Sequence, residues 1–485
     1  MNRKNINACL LLCLLAIMYG CYGTRASKGG GQTSVPHNRT TRAADLLLPE
    51  GYRAEVVATG LNFPTAVAFD DNGGLYAIEA GYSYGEVFTH PRLLKITDGK
   101  AETIAEGEKN GPWTGICWHK GNFYIAEGGQ TSGGKILRAG IDGKLTPLVE
   151  GLPGQADHHT NGPVVMNGYV YFGTGSATNS GVVGPDNAAF GWLKRHPSLH
   201  DIPCEDITLN GVNFETDNPL TTDPADKAVT GAYLPFNTAA KDGQVIKGRL
   251  PCTGAILRVP VTGGKPELVA WGLRNPYALA ISPDNKLYVT ENAADDRGSR
   301  PLWGVGDVLW EVKDGGWYGW PDYSEGKPIK LFKPPGSPTP QPLLKAPRAT
   351  VPKPVAVFAV HSSSNGIDFS TSEQFGFAGK AFVAQFGDMA PNVGKVLSPV
   401  GFKVVWVDVA TGEVKDFAVN KGRKNGPASK LETGGLERPV SVKFDPSGKS
   451  LYIVDFGILK TTPDGQSVPV QNTGVIWKIS KQEVL

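Results

Sequence analysis

The chain has 485 residues, 19% charged and 40% hydrophobic, with 62 Gly and 37 Pro. That length can bury a large core, and so much Gly and Pro with little helical periodicity points to many turns and an all-β fold. A formal charge of +2 leaves no electrostatic footprint for nucleic acid or a membrane surface and excludes those as partners.

The first 21 residues form an export signal. Arg3 and Lys4 precede an apolar run from Ala8 to Met18, too short to anchor in a bilayer. The run ends in Met18-Tyr-Gly-Cys21, where a small residue before Cys looks like a bacterial lipoprotein cleavage box. Met18 and Tyr19 depart from that box, so an ordinary signal peptide stays open beside a lipid on Cys21. Either way the mature protein is exported, to the periplasm or outer cell surface, and a lipid on Cys21 would be its only membrane attachment. Residues 22–44 are rich in Gly, Ser, Thr and Arg and read as a disordered tether. The folded domain is expected over 45–485.

The organising stretch is Trp271 to Asp296. Alternation through Ala278 and Ala280, a Pro-Asp-Asn turn, and Leu287-Tyr-Val-Thr-Glu291 make a strand–turn–strand unit. Similar units end at Gly81, Gly129, Gly175, Gly387 and Gly457, giving six in all. Each is followed by one or two further strand-like runs. Repeats of three to four strands predict a six-bladed β-propeller. The sixth repeat supplies three strands, so the unassigned strand from Tyr52 is expected to complete the last blade and hide the sheet edges. A two-sheet sandwich is the alternative. Two stretches break the period: an insertion in the third blade over 176–253, and a Pro-rich loop over 327–354. Cys204 and Cys252 bracket the insertion, and an oxidising compartment permits a disulfide there. Cys117 reads as a buried apolar residue, and the sequence has no Cys-x-x-Cys-His haem motif.

In a propeller, residues entering the inner strand and residues leaving the second strand share one rim of the channel. Entry loops supply His158, His159, Asn161, Arg274, Asn275, His361 and Arg438. Exit loops supply Glu79, Glu127, Glu291, Asp295, Asp296 and Asp455, of which Glu79, Glu127, Glu291 and Asp455, repeated at the end of the second strand, are expected as an acidic ring round the mouth. Hydrogen bonding from blade to blade is the alternative use of those carboxylates. His158-His159-Thr-Asn161 brings a pair of bases that titrate near neutrality. Asn292 to Asp296 offers hard oxygen donors suited to Ca2+, or a solvated acidic turn.

With Arg274-Asn-Pro, Thr290-Glu-Asn and Gly316-Trp-Tyr-Gly-Trp-Pro321, the chain resembles the soluble quinoprotein sugar dehydrogenases, the glucose/sorbosone dehydrogenase family, from about Pro49 to Ile479. The resemblance implies a six-bladed propeller holding pyrroloquinoline quinone (PQQ) and Ca2+ at the channel mouth. It also implies a sugar substrate whose hydroxyl is oxidised by hydride transfer, and an external electron acceptor. His159 in His159-Thr-Asn-Gly-Pro163 falls on the family's base. Arg274 and Asn275 fall on its Arg-Asn pair, at the quinone and the reacting oxygens. Ala293 and Ala294 fall on its Ca2+-binding carbonyls, with Asp295 and Asp296 beside them, and Tyr318 on the Tyr next to the ion. Asn161 and Arg438 are expected at the cofactor too. Three positions depart: Pro163 replaces an Arg, Val440 replaces the second Arg of a clamp that keeps Arg438, and the expected Lys falls near Gly387. Lys395 or Arg297 could compensate. Two other functions use the same scaffold: a propeller that has lost redox chemistry and binds carbohydrate or protein, and a Ca2+-dependent lactonase-type hydrolase using Glu79.

Overall fold

Six antiparallel sheets stand round one axis in the computed structural model, which describes residues 39–82, 88–189, 191–345, 350–390, 394, 396–461 and 467–482. The export signal, most of the tether, and Lys395 lie outside these residues. Among the described residues no helix is long and apolar enough to cross a membrane.

Blade 1 is built from Pro64–Phe69, Leu75–Glu79, Arg92–Thr97 and Lys100–Glu106. Blade 2 follows with Trp113–His119, Asn122–Glu127, Gly134–Ala139 and Leu145–Leu152. In blade 3, Thr160–Met166 and Tyr169–Thr174 are separated by the insertion from Ala255–Pro260 and Glu267–Trp271. Gly316–Trp317 adds to the outer edge of that blade in parallel. Blade 4 comprises Asn275–Ile281, Leu287–Asn292, Gly306–Glu311 and Ala356–Val360. Blade 5 comprises Ser364–Phe369, Ala381–Gln385, Lys403–Val407 and Val414–Asn420, edged by Leu46–Leu47. Blade 6 takes Pro439–Phe444, Ser450–Asp455 and Gly474–Lys481 from the C-terminus and Tyr52–Leu61 from the N-terminus. The expected closure is therefore present, with the last blade made of both ends of the chain.

Alternating apolar residues on both faces of each sheet give six separate cores, one in each gap between blades. Ile78, Phe123 and Ile125 fill the gap between blades 1 and 2, while Phe444, Trp477 and Phe382 fill the gap between blades 5 and 6. Val67, Val454 and Ile476 close the ring between blades 6 and 1. Because every blade is covered on both faces, the hydrophobic gain is spread round the ring, and only the axis is left for polar groups.

Each of the six inner strands carries a bulge at its entry, where the register shifts between Pro64 and Ala66, Trp113 and Gly115, Asn161 and Val164, Pro276 and Ala278, Ser364 and Ile367, and Pro439 and Ser441. A bulge leaves a residue out of the ladder and re-aims its side chain. Here that puts Thr65, Thr114, Tyr277, Asn365 and Val440 on the wall of the axial cavity.

The insertion is ordered. It forms a hairpin of Asn213–Asp217 with Lys227–Gly231, flanked in sequence by the paired strands Ile207–Asn210 and Asp242–Ile246 and preceded by short helices at Pro185–Ala189 and Trp192–Arg195. A Cys204–Cys252 disulfide closes it. It packs against the Pro-rich loop, where Asn210 Nδ2 donates to the carbonyls of Pro342 and Leu344.

Candidate active site

The cavity on the axis has two halves. One is apolar, with Tyr82, Pro112, Phe386, Met389, Val440 and Phe456. The other is polar, with His158, His159, Asn161, Arg274, Asn275, Asn292, Asp157, Asp295 and Arg297. Of the sequence-predicted residues, the structure brings His159, Asn161, Arg274, Asn275, Ala293 and Asp295 to this wall.

His159 leads into blade 3. Its Nδ1 lies 3.2 Å from the carbonyl of Gly154. A carbonyl only accepts, so Nδ1 carries the proton and Nε2 bears the lone pair. Nε2 is buried and, among the described residues, has no hydrogen-bond partner. Burial pushes the imidazole down to about 4, so it is neutral at pH 7. His158 is turned the other way, its Nδ1 2.9 Å from the Ser176 carbonyl. Burial takes it to about 3, against the pull of Asp157. This fold of the loop needs Gly175, because a Cβ there would sit 2.2 Å from His158 Cβ.

Three amides form a relay across three blades. Asn161 Nδ2 donates to Asn275 Oδ1, Asn275 Nδ2 to Asn292 Oδ1, and Asn292 Nδ2 to the Ser364 carbonyl, each at 3.0 Å. The chain of donors fixes the orientation of every amide in it.

Arg274 is anchored by four of its five N–H donors: Nε to the Asn179 carbonyl, Nη1 to the Asn292 carbonyl, and Nη2 to Asn179 Oδ1 and Asp295 Oδ2. Asn179 is fully used as well. Its Oδ1 also accepts from Asp295 N, and its Nδ2 donates to the carbonyls of Asp295 and Arg297. Arg297 reaches Asp157 at 2.5 Å, Asp186 at 2.8 Å and Asp295 at 3.3 Å. Burial alone would raise the Asp295 carboxyl, but Arg274, His361 and Arg297 outweigh it and hold it at about 2. His361 lies 3.6 Å from Asp295, which raises its pKa despite burial.

Four expected positions lie elsewhere. Arg438 is wedged between the rings of Phe386 and Phe402 and donates Nη1 to the carbonyls of Gly387 and Asp388. It precedes the bulge of blade 6, so Val440 faces the cavity in its place. Tyr318 donates its hydroxyl to the Glu311 carbonyl and lines, with Ala294, a separate small void behind Arg274. Asp296 is not on the cavity wall. Gly387, where a Lys is expected, does line the cavity, but with φ +93 and the Phe402 ring 2.5 Å from where a Cβ would stand, its turn admits no side chain.

The repeated carboxylates make no acidic ring. Each holds its own blade together. Glu127 Oε2 accepts from Trp113 Nε1 and Oε1 from Asn110; Glu291 accepts from Trp310 Nε1 and Arg274 N; Asp455 accepts from Trp477 Nε1, Glu437 N and Arg438 N. Glu79 accepts from Asn62 N and Arg92. Asp157, Asn179 and Asp186 were not singled out from sequence. Only Asp157, next to the His pair, carried a local signal.

Residues 237–391 match the family model for glucose/sorbosone dehydrogenase. That span holds Arg274, Asn275, Asn292 and Asp295 and stops short of His159. Comparison with curated protein sequences finds no match. Among solved structures, the chain is similar to a calcium structure of the Carbohydrate-Active Enzymes Family AA12 protein of Trichoderma reesei, at 15% identity and a TM-score of 0.54, covering 92% of this chain and 99% of that one. It is similar to the holo PQQ domain of pyranose dehydrogenase from Coprinopsis cinerea, at 14% identity and a TM-score of 0.52, covering 92% and 98%. It is also similar to the soluble aldose sugar dehydrogenase of Escherichia coli, at 15% identity and a TM-score of 0.50, covering 89% and 100%. At such identities these likenesses establish the propeller fold.

Proposed function

We propose that this propeller, a glucose/sorbosone dehydrogenase-type chain by its 237–391 match, is an exported quinoprotein-type oxidoreductase that oxidises a sugar hydroxyl with His159 as general base. The observation that carries the reading is the buried, unpartnered Nε2 of His159 on a cavity wall that also holds the amide relay. A buried acceptor with no partner costs the fold stability, and a substrate hydroxyl would satisfy it.

The residues present fit PQQ. An aromatic ring system matches the apolar half with Phe386, Met389 and Phe456, and Asn275 with the remaining N–H of Arg274 would meet its carboxylates and carbonyl oxygens. When bound, PQQ supplies the hydride acceptor. The chain's own residues do the rest. Neutral His159 takes the hydroxyl proton at Nε2, and the Gly154 carbonyl steadies the cationic ring through Nδ1–H. Asn161 and Asn275 orient the sugar oxygens, and the apolar half excludes water. Electrons then leave to an external acceptor.

The side chains at the mouth do not by themselves fit Ca2+. Among the described residues no group of three His, Cys, Asp or Glu side chains is placed to hold a metal. The carboxylate of Asp295 is already engaged by Arg274, Arg297 and His361. The lactonase reading loses its key residue, because Glu79 is bound within blade 1 and does not reach the cavity. Export agrees with the Cys204–Cys252 disulfide, a bond kept in oxidising compartments. A lipid on Cys21 is a separate part of the proposal, tested by mass spectrometry of the N-terminal peptide.

The deciding experiment titrates PQQ into the purified protein and measures dye reduction with a panel of aldoses. Saturable quinone binding with aldose-dependent reduction is expected, lost in His159→Gln. Quinone binding without reduction of any aldose would leave a binding propeller, and no binding would remove the quinone altogether.

A further inference from the structure

Three acidic side chains from three distant parts of the chain meet at the polar end of the cavity. Asp157 comes from the loop into blade 3, Asp186 from the first helix of the insertion, and Asp295 from the loop out of blade 4. Three carboxylates brought this close repel one another, and burial strengthens the repulsion. A divalent cation is the usual remedy at oxygen-rich loops of this kind.

We propose that the guanidinium of Arg297 is the built-in cation of this cluster, and that it holds the mouth together where a divalent ion would otherwise be required. Its three nitrogens each face a different carboxylate: Nη2 meets Asp157, Nη1 meets Asp186 and Nε meets Asp295. Arg274 adds a second positive charge 3.2 Å from Asp295 and 3.8 Å from Asp157. Arg274 is buried and Arg297 partly so, and a fixed fork of N–H donors on carboxylates gives directed, charge-assisted bonds rather than a loose pairing.

Three nearby carbonyls, though not those of Ala293 and Ala294, are committed in the same sense. Asn292 O accepts from Arg274, Asp295 O from Asn179 and from Leu302 N, and Arg297 O from Asn179. A Ca2+ ion needs six to eight oxygens at about 2.3–2.6 Å. Here the oxygens point at N–H groups, and an incoming ion would also face two fixed positive charges. Because Asp186 belongs to the insertion, Arg297 also pins that excursion to the mouth. Arg297 is thus a positioning residue for the cavity wall, and the site assembles without calcium.

Metal response of the folded full-length chain tests this separately from the sugar reading, since no quinone or substrate is involved. Wild type is expected to melt at the same temperature in EDTA and in millimolar CaCl2, and to show no saturable heat when titrated with Ca2+. Arg297→Ala should melt lower in EDTA and recover at least half of the loss in CaCl2, with Ca2+ binding at least tenfold tighter than in wild type. Arg297→Lys keeps the charge and should stay indifferent to Ca2+. Saturable binding of one Ca2+ per wild-type chain, lost in Asp295→Asn, would overturn the proposal. So would an Arg297→Ala protein that Ca2+ fails to stabilise. If Arg297→Ala does not fold, the wild-type titration and Arg297→Lys decide.

Discussion

Replacing His159 with Gln separates its chemistry from its place in the fold. Gln fills much of the same space and cannot act as a base at neutral pH. A positioned base contributes about 10²–10⁴-fold, or about 3–5 kcal/mol of barrier, so kcat with an aldose should fall by that factor. Stability has its own signature. Burial lowers the imidazole from 6.5 to about 4 in the native state. Below pH 6.5 the unfolded chain takes up a proton that the native chain refuses. Stability is therefore lost as pH falls from 6.5 to 4, by about 3 kcal/mol for this residue at 1.36 kcal/mol per pH unit. His158, held at about 3, imposes a second loss that the variant retains. Urea midpoints at pH 7, 5.5 and 4.5 should show wild type losing stability more steeply than His159→Gln. Equal slopes would mean that His159 is not a buried neutral base, and a kcat within tenfold of wild type would remove it from the chemistry.

Asn179→Ala removes four side-chain hydrogen bonds and leaves Arg274 Nη2 short of a partner. It should cost about 3–4 kcal/mol, read as a lower urea midpoint at unchanged m. Arg39→Ala strips the guanidinium from fully buried Asp455 at the seam of blade 6. The expected cost is about 3 kcal/mol, near the low end for breaking a buried pair, because N–H donors from Glu437, Arg438 and Trp477 remain. A thermal melt within one degree of wild type would show that Asp455 needs no cation.

The blades were legible in the sequence because period-two alternation closed by a turn is a local signal, and it recurs six times. The side of the disc that carries the site followed from the same hairpins. Which side chains face the channel did not follow, because that depends on a bulge one or two residues into each inner strand. The family resemblance placed Arg438 at the cofactor, but it precedes the bulge and sits between Phe386 and Phe402, with Val440 on the wall. The carboxylates that end the second strands were read as a ring because their acceptors' partners lie a strand away. The matching signal was the Trp at 113, 310 and 477, whose indole N–H needs a buried acceptor. Asn179 and Asp186 stayed hidden because their partners lie 95 to 118 residues away, and the loop that carries them has no period.

The bulges also separate two demands that usually conflict. A side chain in a ladder answers to its cross-strand neighbours, so changing it disturbs the sheet. Tyr277, Asn365 and Val440 have been released from that duty onto the axial wall, whereas Thr65 and Thr114, also out of the ladder, give their hydroxyls to the Trp113 and Thr160 carbonyls of the next blade. The first three behave like interchangeable teeth on a rigid wheel. New ligand preferences can be tried there one tooth at a time, while the wheel itself keeps its shape.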